Sequence, residues 1–171
     1  MAALDALIRS IPDFPQPGIL YRDITPLLFD AAARNAAMEA MTEAARTLNA
    51  EVVAGVEARG FIFGLPVAER LGVPFVPMRK AGKLPSEVVR ADYALEYGTA
   101  TLEMHRTPSV AGRRVAVIDD LLATGGTAAA AAHLIEESGG SVAGFVFLIE
   151  LAALEGRAAL HGRTVRAVLE Y

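Results

Sequence analysis

The chain has 171 residues, 53% hydrophobic and 21% charged, with 16 basic against 20 acidic side chains for a net charge of −4. That is ample apolar material for a packed core in one domain spanning 1–171, which excludes a disordered chain, and an acidic balance with no basic stripe argues against a nucleic-acid binder. The absence of cysteine rules out disulfides and thiolate metal sites. With no signal-like N-terminus and no run approaching ~18 apolar residues, the expected location is the cytoplasm.

In chain order, residues 2–10 read as a short helix and Pro12–Gly18 as an ordered, Pro-rich loop. Asp30 is a candidate N-cap for a helix over 31–48, whose apolar stripe is Met38, Met41, Ala45 and Leu48, with Glu39, Glu43 and Arg46 facing water. A buried strand is expected over 51–56, a helix over 61–71 and a strand over 73–78. Residues 79–110 read as an irregular insertion with short strands near 88–93 and 101–105, the signature of a functional lid. The strongest strand, 114–118, leads through Asp119–Gly126 into an Ala-rich helix over 127–138. Gly139-Gly140 stops that helix, and strands follow at 142–149 and 164–169. This alternation predicts an α/β fold with a mostly parallel sheet covered on both faces.

Ligands of open α/β sheets bind at the carboxyl ends of the strands, so the segment after residue 118 is the first place to look for a site. Thr124-Gly125-Gly126-Thr127 opens a helix. Its glycines would let backbone amides approach a phosphate with no Cβ in the way, and the helix N-terminus supplies free donors and partial positive charge. Asp119 and Asp120, just upstream, suit vicinal sugar hydroxyls and positive charge developing on a sugar. The alternative is a capped helix after a turn. There is no G-x-G-x-x-G, and Gly82-Lys83 is followed by Leu84, so no Walker A loop exists. His105, His133 and His161 share no metal-ligand spacing.

The string Val115–Thr127, VAVIDDLLATGGT, closely resembles the signature with which type I phosphoribosyltransferases bind phosphoribosyl pyrophosphate (PRPP). IPDFPQPGILYRDITPLL at 11–28, VEARGFIFG at 56–64, FVPMRKAGKLP at 75–85, YALEYG at 93–98 and IEL at 149–151 resemble, in order, blocks of the adenine phosphoribosyltransferases. The resemblance implies the type I phosphoribosyltransferase fold, a twisted, mostly parallel sheet with a flexible lid and a small hood from the two termini. It also implies transfer of the 5-phosphoribosyl group of PRPP to adenine, giving AMP and pyrophosphate, with Mg²⁺ as cofactor and a homodimer as the assembly. Type I transferases for other purines, and PRPP-sensing regulators without catalysis, are the competing readings.

The resemblance also distributes roles. Asp119 and Asp120 would face the ribose, and Ala123, Thr124, Gly125, Gly126 and Thr127 would hold its phosphate. Arg59, Arg79, Lys80 and Lys83 would bind pyrophosphate, Arg79 in part across the dimer. Glu96 would contact the purine and manage its proton, while Tyr97 helps exclude water. Tyr21 and Arg22 would lie near the adenine, with Tyr21 standing where the family commonly has Phe. Ala81, Val88 and Ala100 depart from the family pattern within the lid region, and no residue is assigned as a direct metal ligand.

Overall fold

The computed structural model describes residues 2–94 and 99–171. In chain order they form α1 (Ala2–Asp5), β1 (Arg9–Ile11), β2 (Tyr21–Asp23), α2 (Thr25–Phe29), α3 (Ala31–Arg46), β3 (Val52–Val56), α4 (Arg59–Leu71) and β4 (Phe75–Lys80). They continue through β5 (Val88–Ala94), β6 (Thr99–His105), β7 (Arg114–Leu122), α5 (Gly126–Glu137), β8 (Ser141–Glu150) and β9 (Val165–Glu170), with two 3₁₀ turns at Ala152–Leu154 and Gly156–Leu160. Seven strands make one sheet in the order β5-β6-β4-β3-β7-β8-β9, while β1 and β2 pair apart as a ribbon. Strands β4, β3, β7, β8 and β9 are parallel, and the β5–β6 hairpin is added antiparallel at the β4 edge.

Burial explains the continuous apolar runs. All five residues of β3 are buried, as are the last seven of β8, because helices cover both faces of these strands. One face packs under α1, α3 and α4, with Met38, Met41, Ala45, Leu48, Phe63 and Val67 in its core; the other packs under α5 through Ala131, Leu134 and Ile135. The Asp30 side chain accepts a 2.9 Å bond from the Ala33 amide and caps α3, an interaction worth about 1 kcal/mol.

The topology positions the site. β3 leads through α4 to β4 on one side, whereas β7 leads through α5 to β8 on the other. The two neighbouring strands therefore send their connections apart, and a crevice opens beyond their carboxyl ends.

Three expectations are corrected. The helix expected over 2–10 stops at Asp5, because Arg9–Ile11 pairs instead with Tyr21–Asp23, and the Arg9 guanidinium bonds the Asp23 carboxylate. The 79–110 segment is less irregular than its composition suggests. Val89, Ala91, Leu102 and Met104 are buried on one face of the β5–β6 hairpin, and the buried Glu103 takes a 2.7 Å bond from Arg90 and a 3.0 Å bond from the Gly82 amide. The strand expected over 114–118 runs on to Leu122, so Asp119 and Asp120 belong to a strand end paired with β8, not to a loop. The short helix α2 was not foreseen.

Candidate active site

Gly125 starts α5 with a left-handed backbone, φ 84°, and no side chain caps the helix. The amides of Gly126, Thr127 and Ala128 consequently have no intrahelical acceptor and are available to an anion. The structure adds a packing reason for Gly125 to the expected one. A Cβ there would lie 2.3 Å from the Gly156 carbonyl oxygen, and a Cβ on Gly156 would lie 2.2 Å from the Ala123 carbonyl oxygen. The glycines are needed for backbone-on-backbone packing beneath the loop as well as for access above it.

Asp119 and Asp120 end β7 side by side. The Asp119 carboxylate accepts a 2.8 Å bond from the Asp120 amide. Burial pushes its pKa well above the usual carboxylate range, and the adjacent Asp120 charge pushes it further. Burial also raises Asp120, against the opposing pull of Arg59. The Arg59 Nε lies 2.8 Å from Asp120 Oδ2, an approach too misaligned to make a hydrogen bond, so that buried oxygen has no hydrogen-bond partner. Gly60 fits tightly beside this pair, since a Cβ would sit 2.9 Å from Asp119 Oδ1. A half-buried Asp119 and a buried Asp120 at the cleft, with Arg59 as their nearby cation, form a site short of positive charge.

Arg59 reaches two ways, for its Nη1 donates a 2.7 Å bond to the Tyr21 hydroxyl. Tyr21 thereby brings the β1–β2 ribbon to the rim of the crevice. Arg22 does not follow it. Neighbouring residues on a strand point to opposite faces, so the Arg22 guanidinium lies over the Tyr171 ring, 4.0 Å from its centroid, and bonds Ser10.

The cations at the end of β4 and just beyond it, Arg79, Lys80 and Lys83, gather around Glu57. Glu57, which precedes Arg59 by two residues, accepts bonds of 3.1 and 3.2 Å from Arg79 and 3.0 Å from Lys83, plus 3.1 Å from the Lys80 amide. Burial alone would raise its pKa, but these donors override it and hold the carboxyl at about 2. Within one chain, then, Arg79 and Lys83 are drawn onto Glu57, while Lys80 lines the crevice.

The resulting cleft has a volume of about 360 Å³ and gathers Arg59, Lys80, Asp119, Asp120 and all of Ala123–Thr127. Tyr93, Ala100 and Phe147 line it too; Tyr93 and Ala100 face each other across the β5–β6 hairpin. Sequence reasoning did not single out Tyr93 or Phe147. The alternation of β5 around buried Val89 and Ala91 carried a signal for Tyr93, whereas nothing local distinguishes Phe147 from other core aromatics. Glu96 and Tyr97 lie outside the described residues. Among the described residues, no cluster of three His, Asp or Glu side chains forms a metal site.

Residues 24–163 match the phosphoribosyl transferase domain family. An adenine phosphoribosyltransferase from Methylococcus capsulatus is 56% identical over 171 residues, covering 100% of both chains. The crystal structure of adenine phosphoribosyltransferase from Thermoanaerobacter pseudethanolicus superposes with a TM-score of 0.96 at 48% identity, covering 99% of each chain. An APRTase from Giardia lamblia complexed with 9-deazaadenine gives 0.92 at 37% identity, covering 99% of this chain and 97% of that one. Agreement of this extent, in sequence and in backbone, leaves one assignment: the chain belongs to the adenine phosphoribosyltransferases.

Proposed function

We propose that the 171 residues act as one unit that transfers the 5-phosphoribosyl group of PRPP to adenine, releasing AMP and pyrophosphate. The observation that carries this reading is the juxtaposition of two adjacent acids, the buried Asp120 and the half-buried Asp119, with an uncapped helix start at one strand end. A phosphate suits the free amides of Gly126, Thr127 and Ala128, with the Thr124 and Thr127 hydroxyls beside them. A ribose anchored there has its hydroxyls and anomeric carbon toward Asp119 and Asp120.

In the reaction a bond forms between the anomeric carbon and N9 of adenine, the bond to pyrophosphate breaks, and the N9 proton leaves. Positive charge develops on the sugar as the leaving group departs. A carboxylate ~5 Å from that charge, at an effective dielectric of ~20, contributes roughly 3 kcal/mol, or about a hundredfold in rate. The shortage of positive charge around Asp119 and Asp120 favours the sugar cation over the neutral ground state, which is where catalysis requires it. Arg59 and Lys80, with Arg79 and Lys83 behind Glu57, supply the charge that pyrophosphate needs. Glu96 is assigned to the purine and its proton, and Tyr97 to exclusion of water, by family resemblance.

Mg²⁺ fits these residues. The unbonded Asp120 oxygen and the neighbouring Asp119 carboxylate are hard-oxygen groups that suit a cation at the cleft, with the rest of its shell from water and substrate. When bound, Mg²⁺ neutralises charge on the leaving group. The reading includes a homodimer, supported by the exposed apolar side chains of Phe29, Ile62 and Leu65, and a cytoplasmic location for a cysteine-free chain. Among the described residues no helix is long and apolar enough to cross a membrane.

The test is AMP formation from adenine, PRPP and Mg²⁺, with hypoxanthine and guanine as controls. Turnover of adenine alone is expected. Preference for either control base would overturn the base assignment, and no turnover of any base would overturn the reaction.

A further inference from the structure

We propose that Arg157 is a positioning residue that sets the phosphate loop from beneath, acting through Gly156. The inference rests on the loop's assignment to the ribose phosphate. Residues 152–160 form two 3₁₀ turns that pack under Ala123–Gly125. The contact is backbone on backbone: the Gly156 carbonyl oxygen sits where a Cβ of residue 125 would be, and Gly156 itself abuts the Ala123 carbonyl. The Leu151 amide bonds the Leu122 carbonyl at 2.9 Å, joining the two segments just before the contact. The Ala159 Cβ and the Leu122 side chain close in beside this backbone contact, so the joint has no room to absorb a displacement, and a shift of the 3₁₀ turns is transmitted to the loop.

Arg157 holds those turns in place. Its Nε and Nη2 donate to the two oxygens of Glu150 at 2.7 and 2.6 Å, a fork on the end of β8, and its Nη1 donates to the Val165 carbonyl at the start of β9 at 3.2 Å. Glu150 is buried, so the pair is not a loose surface contact. The held segment needs an anchor. Its second turn, Gly156–Leu160, is bracketed by Glu155 and His161, both non-glycine residues with left-handed backbones at φ 51° and 50°. Nothing in the proposed chemistry uses Glu150 or Arg157 directly.

The experiment compares binding of two probes, ribose 5-phosphate and pyrophosphate, by calorimetry on the full chain. In Arg157→Met, ribose 5-phosphate is expected to bind about tenfold more weakly, as displacement of a positioned loop by a fraction of an ångström would produce. Pyrophosphate, held on the far side of the cleft, should bind as in the parent. Arg157→Lys keeps the charge but loses the fork, and is expected to fall between the two; it decides the question alone if Arg157→Met does not fold. Equal affinity for ribose 5-phosphate in parent and variant would overturn the proposal, and so would equal weakening for both probes, which marks general damage. Failure of the parent itself to bind ribose 5-phosphate would instead refute the loop assignment on which the proposal rests.

Discussion

Glu57→Gln isolates the ionic lock behind the cleft. Arg79, Lys83 and the Lys80 amide hold the Glu57 carboxyl at about 2 against an ordinary 4.5. At about 1.4 kcal/mol per pH unit, that depression is worth about 3 kcal/mol of folding stability at neutral pH. Lys83 is half exposed and Arg79 a third exposed, and solvent screening of both reduces the figure to about 2 kcal/mol. A carboxyl whose folded pKa is depressed contributes its stability above the unfolded pKa and loses it as pH falls through the folded one. The parent should therefore lose this increment between about pH 4.5 and pH 2, and the variant, with no charge to titrate, should lack that part of the acid slope. Urea unfolding at intervals from pH 3 to pH 7 reads the difference. Parallel stability curves for parent and variant, offset by the same amount at every pH, would refute the ionic origin of the lock.

Two further substitutions address the strand end and the loop. Asp120→Asn is expected to lower turnover by about a hundredfold. Because burial works against the ionised carboxyl at this position, the same variant should melt no lower than the parent at pH 7; unchanged steady-state kinetics would remove Asp120 from the mechanism. Gly125→Ala places a Cβ 2.3 Å from the Gly156 oxygen at a φ that costs an L-residue about 1–2 kcal/mol. A lower Tm and a KM for PRPP raised about tenfold are expected, with the KM for adenine little changed; retention of the parent's PRPP affinity would argue against the fitted joint.

The parallel core was legible because burial on both faces leaves uninterrupted apolar runs, as in Val52–Val56 and Val115–Ile118, and because Asp30 carries its own capping signal. The cradle was legible because its chemistry is contiguous in sequence. What escaped was non-local. Glu103 could not be read as the buried partner of Arg90 without the hairpin that pairs those two residues. Arg22 could not be turned from the cleft without Tyr171, which lies at the other end of the chain. Tyr171 also bonds Asp5, so residues from both termini and the β1–β2 ribbon share one contact that no window of sequence contains. Gly156 carried no signal in the sequence, and only its approach to Ala123 shows why a side chain is excluded there.

These contacts give the resting cleft a consistent electrostatic logic. Arg59 spans Asp120 and the Tyr21 hydroxyl, and Glu57 gathers Arg79 and Lys83. Of the cations assigned to pyrophosphate, Arg59, Arg79 and Lys83 thus already have carboxylate neighbours in the same chain, while Lys80 lines the crevice. Under the proposed function, binding PRPP would be an exchange of partners for these residues, with part of the Coulomb attraction offset by the pairs given up. The exchange also has a catalytic consequence. Under the proposed function, an Arg59 drawn toward pyrophosphate on binding would leave Asp120 without its compensating cation before the sugar beside it acquires positive charge. A carboxylate stripped of its partner by the leaving group stabilises that charge more strongly than one still paired, so binding at one end of the substrate prepares the acid at the other.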